Sequence, residues 1–426
     1  MFVQLPQAQA QIDGLLAEGR WNDAVANLVV GVHNTHRDPA WQHGYLHYPG
    51  FDRQIEQLAR ALPEEGATGR DAAAPRVGTL VIASELYQLG GHSRVVFDLL
   101  REVDQPTLVL TDLFGNYRKK PDHLNWLLNH YGHAAVLMLL QPSLWGKCME
   151  LSRLTRRLAP RNILYLQHHQ DPIAFIGTLG AVAARKTLVH HCDHNPSLGG
   201  TLQGVGHVDF TDELAHDCAL ALDRPTLVLP LHVPDAGRKA FPPIEGRKWS
   251  VVTSGTHIKF ARSGKVALQA IALTVLQATA GRFFHIGPLA PDWLAEIRLH
   301  LTQQGIDPER FVPLGIVSSL WQTLSGLDAH LYLGSAPAGG GRAAIEAQGC
   351  GYPVAFYRSD IEASTTLKVD SVYASKALGW SDLSELAQLL DGYAAQQPLF
   401  AAEARALYER HYSSAPFLQA VRQITA

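Results

Sequence analysis

The chain has 426 residues, 46% of them hydrophobic and 18% charged, which suits two or three globular domains and excludes a disordered chain. Its 36 Lys and Arg against 39 Asp and Glu leave a formal charge of −3, so the overall charge makes no case for nucleic acid as a partner. No apolar run approaches the ~18 residues that span a bilayer, and the N-terminus lacks the basic start and apolar core of a signal peptide. Cys148, Cys192, Cys218 and Cys350 lie too far apart for a disulfide framework or a zinc ribbon. A reducing cytoplasm is the expected setting.

Residues 1–70 read as a helical extension. Ile12, Leu15 and Leu16, then Ala24, Val25, Leu28 and Val29, recur at helical spacing. The stretch from Leu15 to Leu28 has the look of one tetratricopeptide hairpin bending at Gly19, although one hairpin is not a repeat array. Ile55, Leu58, Ala59 and Leu62 add another helix, and Glu64 to Pro75 reads as a linker. Residues 76–235 then alternate apolar strands with helices. The strands run from Val77 to Ser84, Thr107 to Leu110, Ala134 to Leu140, Asn162 to Leu166, Lys186 to Val189 and His207 to Phe210, with helices expected over 144–158 and 173–184. Thr226 to Asp235 closes this half. Such alternation means a parallel, doubly wound sheet. Ala236 to Gly246, with Pro242 and Pro243, reads as a link between domains. A second α/β unit over 247–380 has strands at 249–254, 282–286, 311–314, 329–333 and 354–356, and residues 381–426 read as C-terminal helices. Ligands of such sheets sit outside the carboxyl ends of the strands.

Ser335 to Phe356 is the most informative of those strand-following segments. Gly339, Gly340 and Gly341 end a loop, Arg342 to Ala347 reads as a helix, and Gly351-Tyr352-Pro353 breaks it before a buried strand. Glycine lets a ligand approach the backbone, and a helix N-terminus offers N–H groups and a partial positive charge, a combination that suits a diphosphate. Glu346 lies at Arg342 + 4 on one helix face, where a carboxylate can accept from a ribose. The segment resembles the nucleotide-sugar site of GT-B glycosyltransferases in its glycine loop, Glu346-Ala347, Gly351, Pro353 and Val354. The resemblance implies two Rossmann-like domains facing a cleft, with the nucleotide sugar on 247–380, the acceptor on 76–235, and helices 381–426 crossing back to the first domain.

The same resemblance assigns expected roles to other loops. In Thr253 to Lys265, Gly255 supplies a turn, and Lys259 first and Arg262 second are expected to meet the diphosphate, fixed cations lowering the barrier to its departure. Gly315 and Val317 match a segment that passes the nucleotide base, and Arg342 joins the donor set. Gly90, Gly91 and His92, where Ser93 is a candidate helix cap, are expected on the sugar or acceptor side with His169 and His194. His190 to His194 admits two explanations. One is zinc held by His and Cys, with His190, Cys192 and His194 pointing one way; structural zinc sites usually show wider, paired spacings than this run has, so no metal is expected. A cleft-lining polar patch instead makes His191, with Asp193, the candidate catalytic base.

Retaining relatives carry a second glutamate eight residues before Glu346; here that position is Ala338. Pro337 and the three glycines resemble inverting protein glycosyltransferases more closely. The expected activity is transfer of a sugar from a nucleotide-diphosphate sugar to a protein, glycan or lipid-linked acceptor. It is expected to need no cofactor and no metal, and there is no Asp-x-Asp triplet. Lipid-linked acceptors imply peripheral attachment to the inner membrane, and residues 1–70 are expected to grip an acceptor protein or form a homodimer. Two alternatives share the fold: a non-hydrolysing nucleotide-sugar epimerase and a catalytically dead scaffold.

Overall fold

The computed structural model describes residues 5–37, 46–63, 77–87, 91–119, 121–130, 135–191, 196–246, 248–358 and 372–426. Contacts divide the chain into two units, one running to Pro230 and including Leu418–Ala426, the other running from Leu231 to Phe417.

The first unit opens with helices α1 (Leu5–Ala17), α2 (Trp21–Arg37) and α3 (Pro49–Ala61). An alternating series follows: β1 (Val77–Ala83), α4 (Gly91–Glu102), β2 (Pro106–Leu110), α5 (Asn116–Lys119), α6 (Pro121–His130), β3 (Ala135–Met138), α7 (Leu144–Leu158), β4 (Pro160–Leu166), α8 (Ile173–Ile176), β5 (Arg185–Val189), β6 (Val205–Asp209), α9 (Asp212–Leu222) and β7 (Leu227–Val228). All pairings are parallel, in the order β3-β2-β1-β4-β5-β6-β7. Leu80, Val81, Ile82 and Ala83 are fully buried, as a strand covered on both faces requires. The order reverses between β1 and β4, which places a ligand crevice beyond their carboxyl ends.

The N-terminal helices share this unit's core. Ile12, Leu28, Phe51 and Leu58 pack in one cluster with Leu80, Ile82, Leu151 and Phe175, and each such side chain contributes about 1.5–3 kcal/mol by leaving water. Polar ties fix the same helices. Gln54 Nε2 donates to the Gln9 carbonyl (2.8 Å) and Asp13 Oδ1 (2.7 Å). Buried Asp52 accepts from Gly199 N (2.7 Å), Thr201 N (2.9 Å) and Thr201 Oγ1 (2.6 Å).

The helix expected over 173–184 is only the four residues of α8. The chain then passes into turns, because Gly177 and Gly180 are poor helix formers placed one turn apart. Ser93, expected as a cap, lies inside α4, and its Oγ accepts from Tyr87 N (2.7 Å).

The second unit contains β8 (Val251–Ser254), α10 (Leu268–Ala278), β9 (Phe283–Ile286), α11 (Pro291–Gln303), β10 (Phe311–Gly315), α12 (Leu320–Gly326), β11 (Leu331–Leu333), α13 (Gly341–Cys350), β12 (Val354–Tyr357), β13 (Gly379–Trp380), α14 (Leu383–His411) and the start of α15 (Ser414–Thr425). Its parallel sheet runs β10-β9-β8-β11-β12-β13, the same winding with the switch between β8 and β11. Leu386, Leu390, Tyr393 and Phe400 of α14 bury against Trp249, Val251 and Leu276. The end of α15 belongs to the first unit, where the Thr425 carbonyl accepts from Asn162 Nδ2 (3.1 Å) and the Ala426 carbonyl from Arg185 Nη1 (2.7 Å). Among the described residues no helix is long and apolar enough to cross a membrane.

Candidate functional site

In the second unit the loops after β8 and β11 meet at the switch point. The backbone ties them: Ala261 N donates to the Ala336 carbonyl (3.3 Å) and Ala338 N to the Lys259 carbonyl (3.4 Å). This pairing carries Lys259 to the glycine loop, where its Nζ donates to the Gly339 carbonyl at 2.8 Å. A Cβ on Gly340 would lie 3.1 Å from the same Nζ, and one on Gly339 would lie 3.1 Å from the Tyr373 hydroxyl. Helix α13 then begins on Gly340 with no side-chain cap, so its first N–H groups form the positive end of the helix dipole beside a cation.

Arg342 and Glu346 sit one turn apart on α13. The Arg342 Nη1 donates to the His232 carbonyl (2.6 Å), and its Nε lies 3.7 Å from Glu346 Oε1. Arg342 is therefore held in place and carries positive charge to the Glu346 carboxylate. Tyr332 on β11 shares a 2.6 Å hydrogen bond with Ser254 at the end of β8; burial pushes the Tyr332 phenol up, partly offset by that hydrogen bond, and the Glu346 carboxylate adds to the rise. Gln348 braces the wall by donating to the Val372 carbonyl (2.7 Å) and accepting from Ala374 N (2.8 Å).

Gly255 and Gly315 join this rim through a third glycine. Gly255 N donates to the Ile286 carbonyl (2.9 Å) and Gly287 N to the Gly315 carbonyl (2.8 Å). Gly287 has φ +129, and a Cβ there would lie 2.2 Å from the Gly255 carbonyl oxygen. Only glycine fits such an approach at positive φ. Val317 is half-buried against the apolar core behind the rim. Arg262 is not brought to the glycine loop: its guanidinium turns to α11, with Nε 3.0 Å from Glu296 Oε2 and Nη2 2.7 Å from Asp292 Oδ2 and 2.5 Å from Glu296 Oε1. Those carboxylates raise its already high pKa. The fork matches paired carboxylates, which the linear sequence, 30 and more residues away, did not reveal.

In the first unit histidines gather at the carboxyl ends of β4 and β5. His92 on α4 places Nε2 2.7 Å from the Leu166 carbonyl, and its ring stacks on His191 with centroids 4.2 Å apart. Burial pulls the His92 imidazole down to about 4, only partly offset by that carbonyl. Burial, helped by His92, lowers His191 well below its usual value. Both rings are therefore neutral near pH 7, which removes the near-neutral titration that made His191 attractive as a base. His169, expected in the lining, is buried, and its ring packs on His168 at 3.9 Å. Gly91 is exposed at the start of α4, where a Cβ would meet nothing within 4 Å. Gly90, Asp193 and His194 lie outside the described residues.

Beneath the histidines is a polar hub that the sequence did not announce. Asp171, fully buried, accepts from Ser84 Oγ (2.5 Å), Thr111 Oγ1 (2.5 Å) and Ile173 N (2.9 Å). Lys147 on α7 reaches the Thr111 and Asp112 carbonyls at 2.7 and 2.5 Å. Glu85 accepts from the Phe114 and Asn116 amides, the Asn116 side chain and the Tyr87 hydroxyl. Buried charges are tolerated when so bonded, and this hub sets the loop ends after β1, β2 and β4.

No protein-family model and no curated protein matches the sequence. Solved structures do match in three dimensions. A lipopolysaccharide outer core galactosyltransferase, WaaB, superposes with TM-score 0.59 at 12% identity, over 82% of this chain and 99% of that one. Anabaena HepE in complex with UDP superposes with TM-score 0.58 at 13% identity, over 82% and 99%. A variant of the Thermobaculum terrenum O-GlcNAc transferase gives 0.50 at 14% identity, over 99% of this chain and 82% of that one. At such identities the likeness speaks for architecture, and it agrees with the two parallel sheets of seven and six strands wound in the same order. The chain has the GT-B fold of these glycosyltransferases.

Proposed function

We propose that the chain is a nucleotide-sugar-dependent glycosyltransferase whose second unit grips the diphosphate of the donor. The observation that carries this reading is the Lys259 ammonium, 2.8 Å from the Gly339 carbonyl at the uncapped start of α13. As the sugar–phosphate bond breaks, negative charge grows on the diphosphate, and a fixed cation beside aligned N–H groups stabilises it. Glu346 faces the ribose hydroxyls, and the rim of Gly255 and Gly315 passes the base. His191, held neutral by burial and so a weaker base than a free imidazole, is the first unit's candidate to take the acceptor's proton. Charge neutralisation by Lys259 and the helix dipole makes turnover indifferent to added magnesium or manganese. A structural neighbour named as HepE in complex with UDP and glucose supports the donor class by its fold.

One neighbour, a Neisseria meningitidis UDP-GlcNAc 2-epimerase bound to UDP-GlcNAc, has TM-score 0.53 at 13% identity, so the same grip also suits epimerisation. The test is a thermal-shift panel of nucleoside diphosphates and nucleotide sugars, followed by turnover with and without acceptors. A ligand that binds only the folded state must raise its melting temperature, by about 2.7 kcal/mol of stability at a hundredfold excess over Kd. The reading expects such a shift, and release of free nucleoside diphosphate only when an acceptor is present. No shift with any nucleoside diphosphate contradicts it and favours a scaffold; a changed sugar without acceptor favours epimerisation.

A further inference from the structure

A buried cluster in the first unit lies apart from the donor loops. His207 and Asp209 are two residues apart on β6, so both side chains project to one face. His190 directly follows β5, and its N–H donates to the Val208 carbonyl (2.8 Å), which sets it beside Asp209 in register. Cys218, on α9, covers that face. All four are buried, with 3% exposure or less.

The ligand atoms of these residues converge. Asp209 Oδ1 lies 3.1 Å from His190 Nδ1, 3.2 Å from His207 Nε2 and 3.4 Å from Cys218 Sγ, and Sγ lies 3.6 Å from His190 Nδ1. One nitrogen from each histidine, the sulfur and one carboxylate oxygen all fall within 4.8 Å of one another. A tetrahedral zinc-like ion, with bonds of about 2.0–2.1 Å to N or O and 2.3 Å to S, holds its ligand atoms about 3.3–3.6 Å apart. Hydrogen bonding alone accounts poorly for the arrangement. Three neighbours crowd Oδ1, while Oδ2 of the same carboxylate has no hydrogen-bond partner among the described residues, although a carboxylate has acceptor sites on both oxygens.

We propose that His190, His207, Asp209 and Cys218 form a structural binding site for a divalent transition-metal ion of the zinc class. A thiolate and a carboxylate neutralise a divalent ion, which makes the filled site electrically balanced in the interior. Four protein ligands close the coordination shell, the mark of a structural and not a catalytic centre. The ion pins the end of β5 to β6 and α9, immediately before His191. The zinc reading weighed from sequence used His190, Cys192 and His194; Cys192 and His194 lie outside the described residues, and β6 and α9 bring His207, Asp209 and Cys218 to His190.

The test uses the intact protein. Metal analysis after gel filtration should find close to one zinc per chain, and protein produced in cobalt-supplemented medium should show a thiolate-to-cobalt charge-transfer band. Cys218→Ser should abolish that band and lower retained metal by about tenfold or more, with the far-UV circular dichroism unchanged. Zinc far below one per chain, a cobalt form without the band, or a Cys218→Ser protein that keeps the band each overturns the site. The cobalt spectrum of the unsubstituted protein decides the matter even if Cys218→Ser fails to fold.

Discussion

Lys259 and Arg262 stand three residues apart on one loop, yet the fold uses them differently. Lys259 donates to the glycine loop, where on the proposed reading an incoming phosphate would replace that neutral acceptor with a charged one. Arg262 is already engaged by Asp292 and Glu296 on the solvent side, and exposed pairs of this kind contribute little to stability. Lys259→Ala should therefore weaken nucleoside-diphosphate binding by about 10–100-fold, or about 1.4–2.7 kcal/mol, while Arg262→Ala should stay within about twofold. Isothermal titration of both variants checks this; equal losses would show that Arg262 leaves α11 to join the ligand. The glycine loop and Glu346 were legible as candidates because their spacing is local, and Lys259, 80 positions from Gly339, only through the family resemblance of its loop. The sequence did not carry Ser254 and Tyr332, which read as strand packing, nor Asp209 with Cys218, which come together only through β6 and α9.

At the scale of elements, α3 acts on a loop far away in sequence. Asp52 accepts three hydrogen bonds from Gly199 and Thr201, in the loop that follows the histidines of β5. Asp52→Ala leaves those donors without a buried partner, a loss of about 2–4 kcal/mol. It should also speed hydrogen exchange at Gly199 and Thr201 ahead of global unfolding. Exchange and melting temperature that match the unsubstituted protein would mean α3 is an appendage. The strands were legible as apolar runs, and helix α13 was legible from the glycines at its start and from Gly351, whose φ of +101 ends it. The loop-bracing role of α3 was not, because a buried aspartate looks like any other until its partners, almost 150 positions on, are seen.

At the scale of the whole molecule, each unit hides an imidazole that resists charge. His92 in the first and His285 in the second are both lowered from 6.5 to about 4, burial being the main cause. For these two groups the folded state binds fewer protons than the unfolded state between those values, so their contribution to stability holds above pH 6.5 and falls as pH drops toward 4, opposed by buried Asp52, whose carboxyl is raised to about 6. Denaturant unfolding across that range should show the decline, and His285→Leu, in a site lined by Phe260 and Phe311, should flatten it. An unchanged slope in that variant would mean His285 does not supply the term.

The diphosphate site itself is tested most directly by a crystal structure of the protein with a bound nucleoside diphosphate, UDP or GDP. The account predicts phosphate density at the amides of Gly340 and Gly341, within reach of Lys259 Nζ, with the ribose hydroxyls against Glu346. Phosphates bound elsewhere on the second unit, with Lys259 still on the Gly339 carbonyl, would contradict it.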